Sequence, residues 1–298
     1  MAPDYRINKL EYNVSNVCNL KCEQCDHLAP FFGSRDAKFG SSITPGNFAR
    51  ELALLAPHVH ADSFLIVGGE PLLQERILDF LARLRESEIT SQIVLVTNGL
   101  LLANQPDALF QSVDKIIISR YASVLSSEET IGRIRKRCDA AGVELGFYWK
   151  SLFRKTIVGE RNGDLRQVNR IFQTCANAWT WHCHAIQDGY LYRCPISPLL
   201  GYKLHQQGLV ERDFHEDDGL KLDDSPGFAD RMRAYLESPA PLQSCSYCLG
   251  CVGKAIKHRQ MSKAEIEDQI WTRSTVANSI DPWKAFQKFV RWRLFRQR

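Results

Sequence analysis

Three cysteines fall within eight residues near the amino terminus of the chain, in the spacing Cys18-x3-Cys22-x2-Cys25. Thiolates this close together can converge on one metal centre. A structural zinc site normally takes four ligands, and it usually pairs one C-x2-C with another. A cubane iron–sulfur cluster has four irons and takes thiolate ligands. Three thiolates would leave one iron open to a small molecule, so the spacing favours a [4Fe–4S] cluster over zinc.

Polar or glycine-rich segments follow three later apolar runs of the chain. Residues 64–67 lead into Gly68-Gly69-Glu70-Pro71, residues 93–96 into Thr97-Asn98-Gly99, and residues 115–118 into Ser119-Arg120. Each of these segments alone is typical of an ordinary turn. Together with the three-cysteine loop they make four polar tips at four successive strand ends, which predicts a ligand site.

The order of these motifs resembles that of the radical S-adenosylmethionine (SAM) enzymes. In that family the open iron chelates SAM, and the reduced cluster cleaves SAM to a 5′-deoxyadenosyl radical that abstracts a hydrogen atom. The resemblance implies that the SAM-binding residues are Gly68, Gly69, Glu70, Pro71, Thr97, Asn98, Ser119 and Arg120. The family often has an aromatic residue before the third cysteine. Gln24 stands there in this chain, so His27 or Phe31 is expected to pack against the adenine instead.

Strand-like and helix-like segments alternate from about residue 8 to residue 165. The pattern predicts strands at 10–15, 63–67, 93–97, 115–119 and 143–148, and helices at 45–55, 74–86 and 127–141. Thr44 is the predicted N-cap of the first helix. Such alternation predicts an α/β fold with a parallel sheet and a site at the carboxyl ends of the strands. The resemblance adds that residues 8–168 form a partial (β/α)6 TIM-like barrel.

The character of the chain changes after about residue 170. A hairpin is predicted near 188–195 and a helix at 225–237. The cysteine order resembles that of the twitch domain, a hairpin and helix that bind an auxiliary [4Fe–4S] cluster in some radical SAM enzymes. The resemblance implies a twitch domain at 169–255, followed by a helical extension at 256–298. The implied auxiliary ligands are Cys175, Cys194, Cys245 and Cys248. A zinc site of the same four residues, or Cys251 in place of Cys245 or Cys248, remains open.

Three of the ten cysteines are then spare. Cys138 lies in a predicted helix and is expected to pack as a small apolar side chain. Cys183 and Cys251 lie close to the implied auxiliary ligands, where each could serve in packing, as an extra ligand or as a thiol beside the substrate. A carbon radical that takes hydrogen from a thiol on the opposite face is inverted. Cys183 is the first choice for this hydrogen donor and Cys251 the second.

The chain resembles the twitch-type radical SAM enzymes of aminoglycoside biosynthesis, which include epimerases and dehydrogenases. Spare thiols favour an epimerase acting on an aminoglycoside or related amino-sugar antibiotic intermediate. A dehydrogenase that oxidises a hydroxyl to a ketone is the alternative, and a non-catalytic zinc-binding module is a third interpretation. The acidic residues of segment 211–224 could pair with ammonium groups of the substrate, or they could be a solvated loop. His182 and His184 could orient the substrate or serve the fold.

Composition constrains the partners. The net charge of +4 does not indicate nucleic acid, and no apolar run is long enough to span a membrane. The segment that follows Met1 lacks the apolar core of an export signal, so a cytoplasmic location is expected. The resemblance implies a reducing protein such as flavodoxin or ferredoxin. The basic, aromatic tail at 283–292 is expected to form an amphipathic helix that closes the barrel or joins a dimer, with a membrane surface as the alternative.

Overall fold

The chain folds around one twisted sheet, in a computed structural model that describes residues 5–33, 43–121, 124 and 126–295. Residues 1–4, part of the segment on which the expectation about an export signal depends, lie outside the described residues. The strands are β1 (Tyr5–Asn13), β2 (Val59–Val67), β3 (Ile93–Thr97), β4 (Lys115–Tyr121), β5 (Glu144–Lys150), β6 (Leu152–Arg154), β7 (Cys183–Gln187), β8 (Tyr190–Tyr192), β9 (Gly219–Lys221) and β10 (Ala255–Lys257).

The helices cover the sheet and carry the connections between strands. They are α1 (Pro45–Leu55), α2 (Ile77–Glu86), α3 (Asp107–Gln111), α4 (Glu128–Ala141), α5 (Leu165–Gln173), α6 (Ala176–Trp179), α7 (Ser197–Gln206), α8 (His215–Asp218), α9 (Phe228–Leu236), α10 (Lys263–Glu267), α11 (Val276–Ser279) and α12 (Pro282–Phe295). Short 3-10 turns lie between several of them. The Oγ1 of Thr44 accepts a hydrogen bond from the amide of Asn47 at 3.1 Å, which confirms the predicted cap of α1.

The main sheet has the order β5-β4-β3-β2-β1-β7-β8-β9. Strands β1 to β5 and β7 run parallel to one another, β8 pairs antiparallel with β7, and β9 pairs antiparallel with β8. The predicted α/β fold with a mostly parallel sheet is therefore confirmed. The sixth parallel strand, β7, pairs with β1 rather than with β5. The hairpin of β7 and β8, which lies in segment 169–255, continues the main sheet beyond β1.

The largest core lies between the sheet and the helices α1, α2 and α4. The ring of Tyr12 on β1 lies 4.3 Å from that of Phe48 on α1, and Phe48 in turn lies 5.8 Å from Phe64 on β2. Cys138 of α4 is fully buried in this core, in the place expected for a small apolar side chain. Leu10 and Tyr12 of β1 therefore face the helices, and Glu11 and Asn13 face the opposite side of the sheet.

The parallel arrangement brings the carboxyl ends of β1 to β5 to one edge of the sheet. Each predicted motif lies at the carboxyl end of one of these strands or directly after it, so the fold gathers the motifs at that edge. Strand β10 pairs with β6 and leads the chain from the C-terminal cysteines back toward the three-cysteine loop. No helix within the described ranges is long and apolar enough to cross a membrane.

Candidate cluster and ligand site

A cavity of about 470 Å³ opens at the carboxyl edge of the sheet. Eight of the ten cysteines line it. They are Cys18, Cys22, Cys25, Cys175, Cys194, Cys245, Cys248 and Cys251. Both predicted ligand sets therefore meet at one cavity, with Cys251 as an additional thiol.

The lining cysteines fall into two groups whose thiols act on one another. Burial raises the pKa of Cys22 to about 11, and Cys18 adds to this shift. Burial raises the pKa of Cys25 to about 12, with a further contribution from Cys22. In the second group, burial raises the pKa of Cys248 well above its usual range, and the other three predicted auxiliary ligands raise it further. Thiols so resistant to ionisation need a bound metal to become thiolates.

Hydrogen-bond donors already point at several of these sulfur atoms. The amide of Leu20 lies 3.3 Å from the Sγ of Cys18, and the amide of Gly250 lies 3.3 Å from the Sγ of Cys248. Hydrogen bonds to the sulfur are a regular feature of iron–sulfur ligation. The donor set and its surroundings therefore fit cluster ligands at both groups.

In the part of the chain that the structure describes, no three His, Cys, Asp or Glu side chains converge closely enough to bind a single metal ion. A cubane cluster places its thiolates on different irons, so its cysteines surround a cluster rather than one point. Cysteines spaced around a cavity suit that requirement.

The Gly-Gly-Glu-Pro segment packs against the chain that leads into the three-cysteine loop. The amide of Gly69 donates to the carbonyl oxygen of Ser15 at 2.7 Å, and the amide of Glu70 donates to that of Val17 at 2.8 Å. A Cβ atom on Gly68 would lie 2.3 Å from the Ser15 oxygen, and one on Gly69 would lie 2.2 Å from the Val17 oxygen. Both glycines are required by the loop itself, and both line the cavity.

The Glu70 carboxylate organises the next motif instead of lining the cavity. It is fully buried, and it accepts hydrogen bonds from the Oγ1 of Thr97 at 2.7 Å and from the amide of Asn98 at 2.9 Å. Thr97 and Asn98 do line the cavity. The Nδ2 of Asn98 donates to the Oδ1 of Asn19 at 2.6 Å, next to Cys18. Glu70 thus links the second and third motifs to the cysteine loop. Pro71 begins the short turn that follows.

The remaining residues predicted to contact SAM fall into two groups, one at the cavity and one away from it. Ser119 and His27 line the cavity, whereas Arg120 and Phe31 are absent from its lining. The guanidinium of Arg120 lies 4.4 Å from the ring of Trp149 and pairs with Glu128 at 2.9 Å. Phe31 packs in a second core. Burial lowers the pKa of His27 to about 4, so its ring is neutral beside the predicted ligands.

The first-choice hydrogen donor lies outside the cavity lining. Cys183 opens β7, where it is buried opposite Lys9 of β1, and its Sγ lies 3.3 Å from the Oε2 of Glu11. Burial and Glu11 together raise the pKa of Cys183 far above its usual range, so it remains a thiol. His182 and His184, which flank it, do not line the cavity either. No sequence signal marks Glu11 as the partner of Cys183, because pairing of β1 with β7 is needed to bring them together.

The second choice, Cys251, does line the cavity. Its Sγ accepts a hydrogen bond from the amide of Ala176 at 3.4 Å, beside Cys175. The structure therefore places this spare thiol next to a predicted auxiliary ligand.

The acidic residues of segment 211–224 are not among the residues that line the cavity. One carboxylate does lie there, on Asp26, a residue that the sequence reasoning did not single out. Burial raises the pKa of Asp26 to about 6, while Thr156 and Lys150 act in the opposite direction. Asp26 is therefore mostly ionised at neutral pH, and Lys150, which favours that ionised form, also lines the cavity.

The chain is 30% identical over 172 residues to the GTP 3′,8-cyclase of Geobacter sulfurreducens. The match covers 56% of this chain and 52% of that protein. It is 34% identical over 115 residues to a probable GTP 3′,8-cyclase of Methanocella arvoryzae, or 38% of this chain and 34% of that protein. The chain thus spans between about a third and about half the length of these curated relatives. No protein-family profile matches it.

Among solved structures, the chain is similar to BtrN in complex with AdoMet and 2-DOIA. The identity is 14% and the TM-score 0.44, over 83% of this chain and 94% of that one. Streptococcus suis SuiB bound to S-adenosylmethionine gives 15% identity and a TM-score of 0.32, over 80% of this chain and 64% of that one.

The three-cysteine loop and the motifs at the ends of the parallel strands are those of a radical SAM enzyme. The similarity to the cyclases supports the same class. The relatives imply SAM and one [4Fe–4S] cluster as cofactors, for which Cys18, Cys22 and Cys25 are the available ligands.

Proposed function

We propose that the chain is a SAM-dependent radical epimerase that inverts a carbinol carbon of a small hydroxylated molecule, and that Cys251 returns the hydrogen. One observation carries this proposal. Eight cysteines line a single cavity, which is one more than two clusters with three and four protein ligands require. When bound, SAM and the first cluster supply the abstraction of a hydrogen atom from the substrate.

The residues of the chain then have distinct tasks. Cys18, Cys22 and Cys25 would hold the first cluster, and Gly68 and Gly69 line the cavity beside it, where SAM would bind. The predicted auxiliary ligands would hold a second cluster in a twitch domain at 169–255. The Cys251 thiol donates a hydrogen atom to the face of the substrate carbon opposite to the one that lost it. The remaining sulfur radical takes up one electron and one proton, and the electron would come from a reducing protein of the flavodoxin or ferredoxin class. A partner of that class supports a cytoplasmic location.

An amino sugar is the proposed substrate class. Asp26 supports it, because an ionised carboxylate in the cavity lining can pair with an ammonium group of such a molecule. This role replaces the one expected for the acidic segment 211–224. Substitution of Asp26 by Asn should raise KM for the substrate with little change in bound iron.

The test is anaerobic incubation of the reconstituted protein with SAM, a chemical reductant and a panel of aminoglycosides in deuterated water. A thiol exchanges its hydrogen with solvent, so an inverted product should carry one deuterium at the inverted carbon. An inverted product without deuterium would contradict a thiol donor.

A dehydrogenase is the second candidate. The position of Cys183 favours it, because that thiol lies outside the cavity lining and leaves Cys251 as the single spare cysteine in it among the described residues. If Cys251 is out of reach of the substrate radical, that radical would lose one proton to solvent and one electron to the second cluster, and would become a ketone. A ketone product in the same incubation would establish this reaction. Protein that remains colourless and binds zinc would support the third interpretation, a zinc-binding module.

A further inference from the structure

A segment from the C-terminal part of the chain crosses the three-cysteine loop. The amide of Glu23 donates to the carbonyl oxygen of Arg259 at 3.0 Å, and the amide of Met261 donates to that of Lys21 at 2.8 Å. The side chain of Arg259 also pairs with Glu23 at 2.7 Å. These contacts hold residues 258–261, here called the crossing segment, alongside the cysteine loop.

Two side chains of the crossing segment reach the sulfur of Cys22. The Nε2 of His258 lies 3.1 Å from the Sγ of Cys22, although the two residues are 236 positions apart in the chain. The Nε2 of Gln260 lies 3.5 Å from the same sulfur, while its Oε1 accepts a hydrogen bond from the amide of Lys21. A metal-bound thiolate has no proton to give, so both nitrogen atoms would act as donors to it.

Packing fixes the direction of the His258 ring. The ring is stacked on Tyr121, with centroids 4.7 Å apart and planes 18° apart, and lies 4.8 Å from the ring of Phe153. His258 is 6% exposed. A buried ring held between two aromatic side chains keeps its donor on the sulfur without a further loss of conformational freedom.

We propose that His258 and Gln260 are positioning residues that raise the reduction potential of the first cluster through hydrogen bonds to the Cys22 thiolate. Reduction makes a cluster and its thiolates more negative, and donors to sulfur stabilise the reduced form more than the oxidised form. The inference rests on the proposed function, since it requires a cluster at Cys18, Cys22 and Cys25. It adds that the C-terminal part of the chain sets how readily that cluster accepts an electron.

The test is an EPR-monitored redox titration of the reconstituted protein without SAM, using His258→Phe and, as a control, Met261→Leu. Phenylalanine keeps a ring between Tyr121 and Phe153 but has no donor. At a fixed ambient potential, the ratio of reduced to oxidised first cluster should fall on the order of tenfold, which is about 59 mV for one electron. Met261→Leu alters a buried side chain of the same segment without touching Cys22, and it should leave this ratio unchanged. The signal of the second cluster should not shift in either variant.

His258→Gln restores a donor and should recover part of the loss, which packing alone would not explain. If His258→Phe does not fold, Gln260→Leu carries the same expectation in the same direction. A His258→Phe variant that binds as much iron as the parent, and whose first cluster has the reduction potential of the parent, overturns the inference. The proposed function would still stand. Parent protein that binds no cluster dependent on Cys22 overturns both, and the iron content alone identifies that case.

Discussion

The Sγ of Cys183 lies 3.3 Å from the Oε2 of Glu11, in a buried contact between the neighbouring parallel strands β1 and β7. This contact gives the Cys183 thiol a hydrogen-bond partner within the sheet. Cys251, in contrast, is only partly buried and lines the cavity that holds the predicted cluster ligands. The two spare cysteines that the sequence could not separate are therefore in different surroundings, and substitution can tell them apart.

Replacement of Cys251 by Ala should abolish inversion while SAM is still cleaved. The hydrogen donor would be lost, so inverted product should fall on the order of 100-fold or more, whereas 5′-deoxyadenosine should still form. Chromatography of both products from one anaerobic incubation measures this. Cys183→Ala is the matched control and should invert at close to the parent rate. The opposite pattern would return the donor role to Cys183, and normal inversion by both variants would leave the dehydrogenase as the better account.

Loss of one ligand in the first group should stop SAM cleavage. Replacement of Cys18, Cys22 or Cys25 by Ala removes one of the three thiolates of the cluster, and the motif has no fourth cysteine to replace it. We expect 5′-deoxyadenosine below detection, with the iron of the second cluster retained. Full SAM cleavage by any of these three variants would refute the assignment of the first cluster.

Iron content tests the second group. The reconstituted protein should hold about eight irons per chain, from two four-iron clusters. Simultaneous replacement of the four predicted auxiliary ligands should lower this to about four. The substitutions are Cys175→Ala, Cys194→Ala, Cys245→Ala and Cys248→Ala. A parent value of about four irons that the substitutions do not change would mean that these cysteines bind no cluster.

Local patterns predicted much of the fold and of the site. Helix α1 and strand β3 have the predicted bounds, because apolar periodicity and the Thr44 cap act over a few residues. The strand-end motifs converge because parallel strands align their carboxyl ends. The role of Glu70 was not predictable in the same way. Its oxygens face Thr97 and Asn98 on the next strand, and only the register between strands determines that contact.

Long-range contacts are what the sequence could not supply. The pairing of β7 with β1 decides that Cys183 meets Glu11, and nothing in the segment around Cys183 specifies which strand it will join. The crossing segment has the same origin, because the pairing of β10 with β6 brings His258 to Cys22. Asp26 was also missed, since a carboxylate directly after a ligand cysteine has no distinguishing pattern in sequence.

A buried carboxylate in the core predicts how stability depends on pH. Glu51 of α1 is 5% exposed, and its Oε1 accepts a hydrogen bond from the amide of Gly189 in the turn of the β7–β8 hairpin. Burial raises the pKa of Glu51 to about 7, and the charge of Asp188 adds to the shift. In the unfolded chain the same group titrates at about 4.3. Between these two values the folded chain keeps a proton that the unfolded chain has released, so the free energy of unfolding should decrease as the pH rises through this window.

Replacement of Glu51 by Gln should remove this dependence. The amide oxygen can still accept from Gly189, and the side chain no longer ionises, so the variant should be more stable than the parent by about 3–4 kcal/mol above pH 7, and close to it at about pH 4.5. The thermal unfolding midpoint of the reconstituted protein, measured between about pH 5 and about pH 8 at one heating rate, checks this. Glu86→Gln on α2 is the control, because its carboxylate is exposed and its loss should leave the pH profile as it is. A Glu51→Gln variant whose midpoint falls with pH as steeply as that of the parent would show that another group causes the dependence.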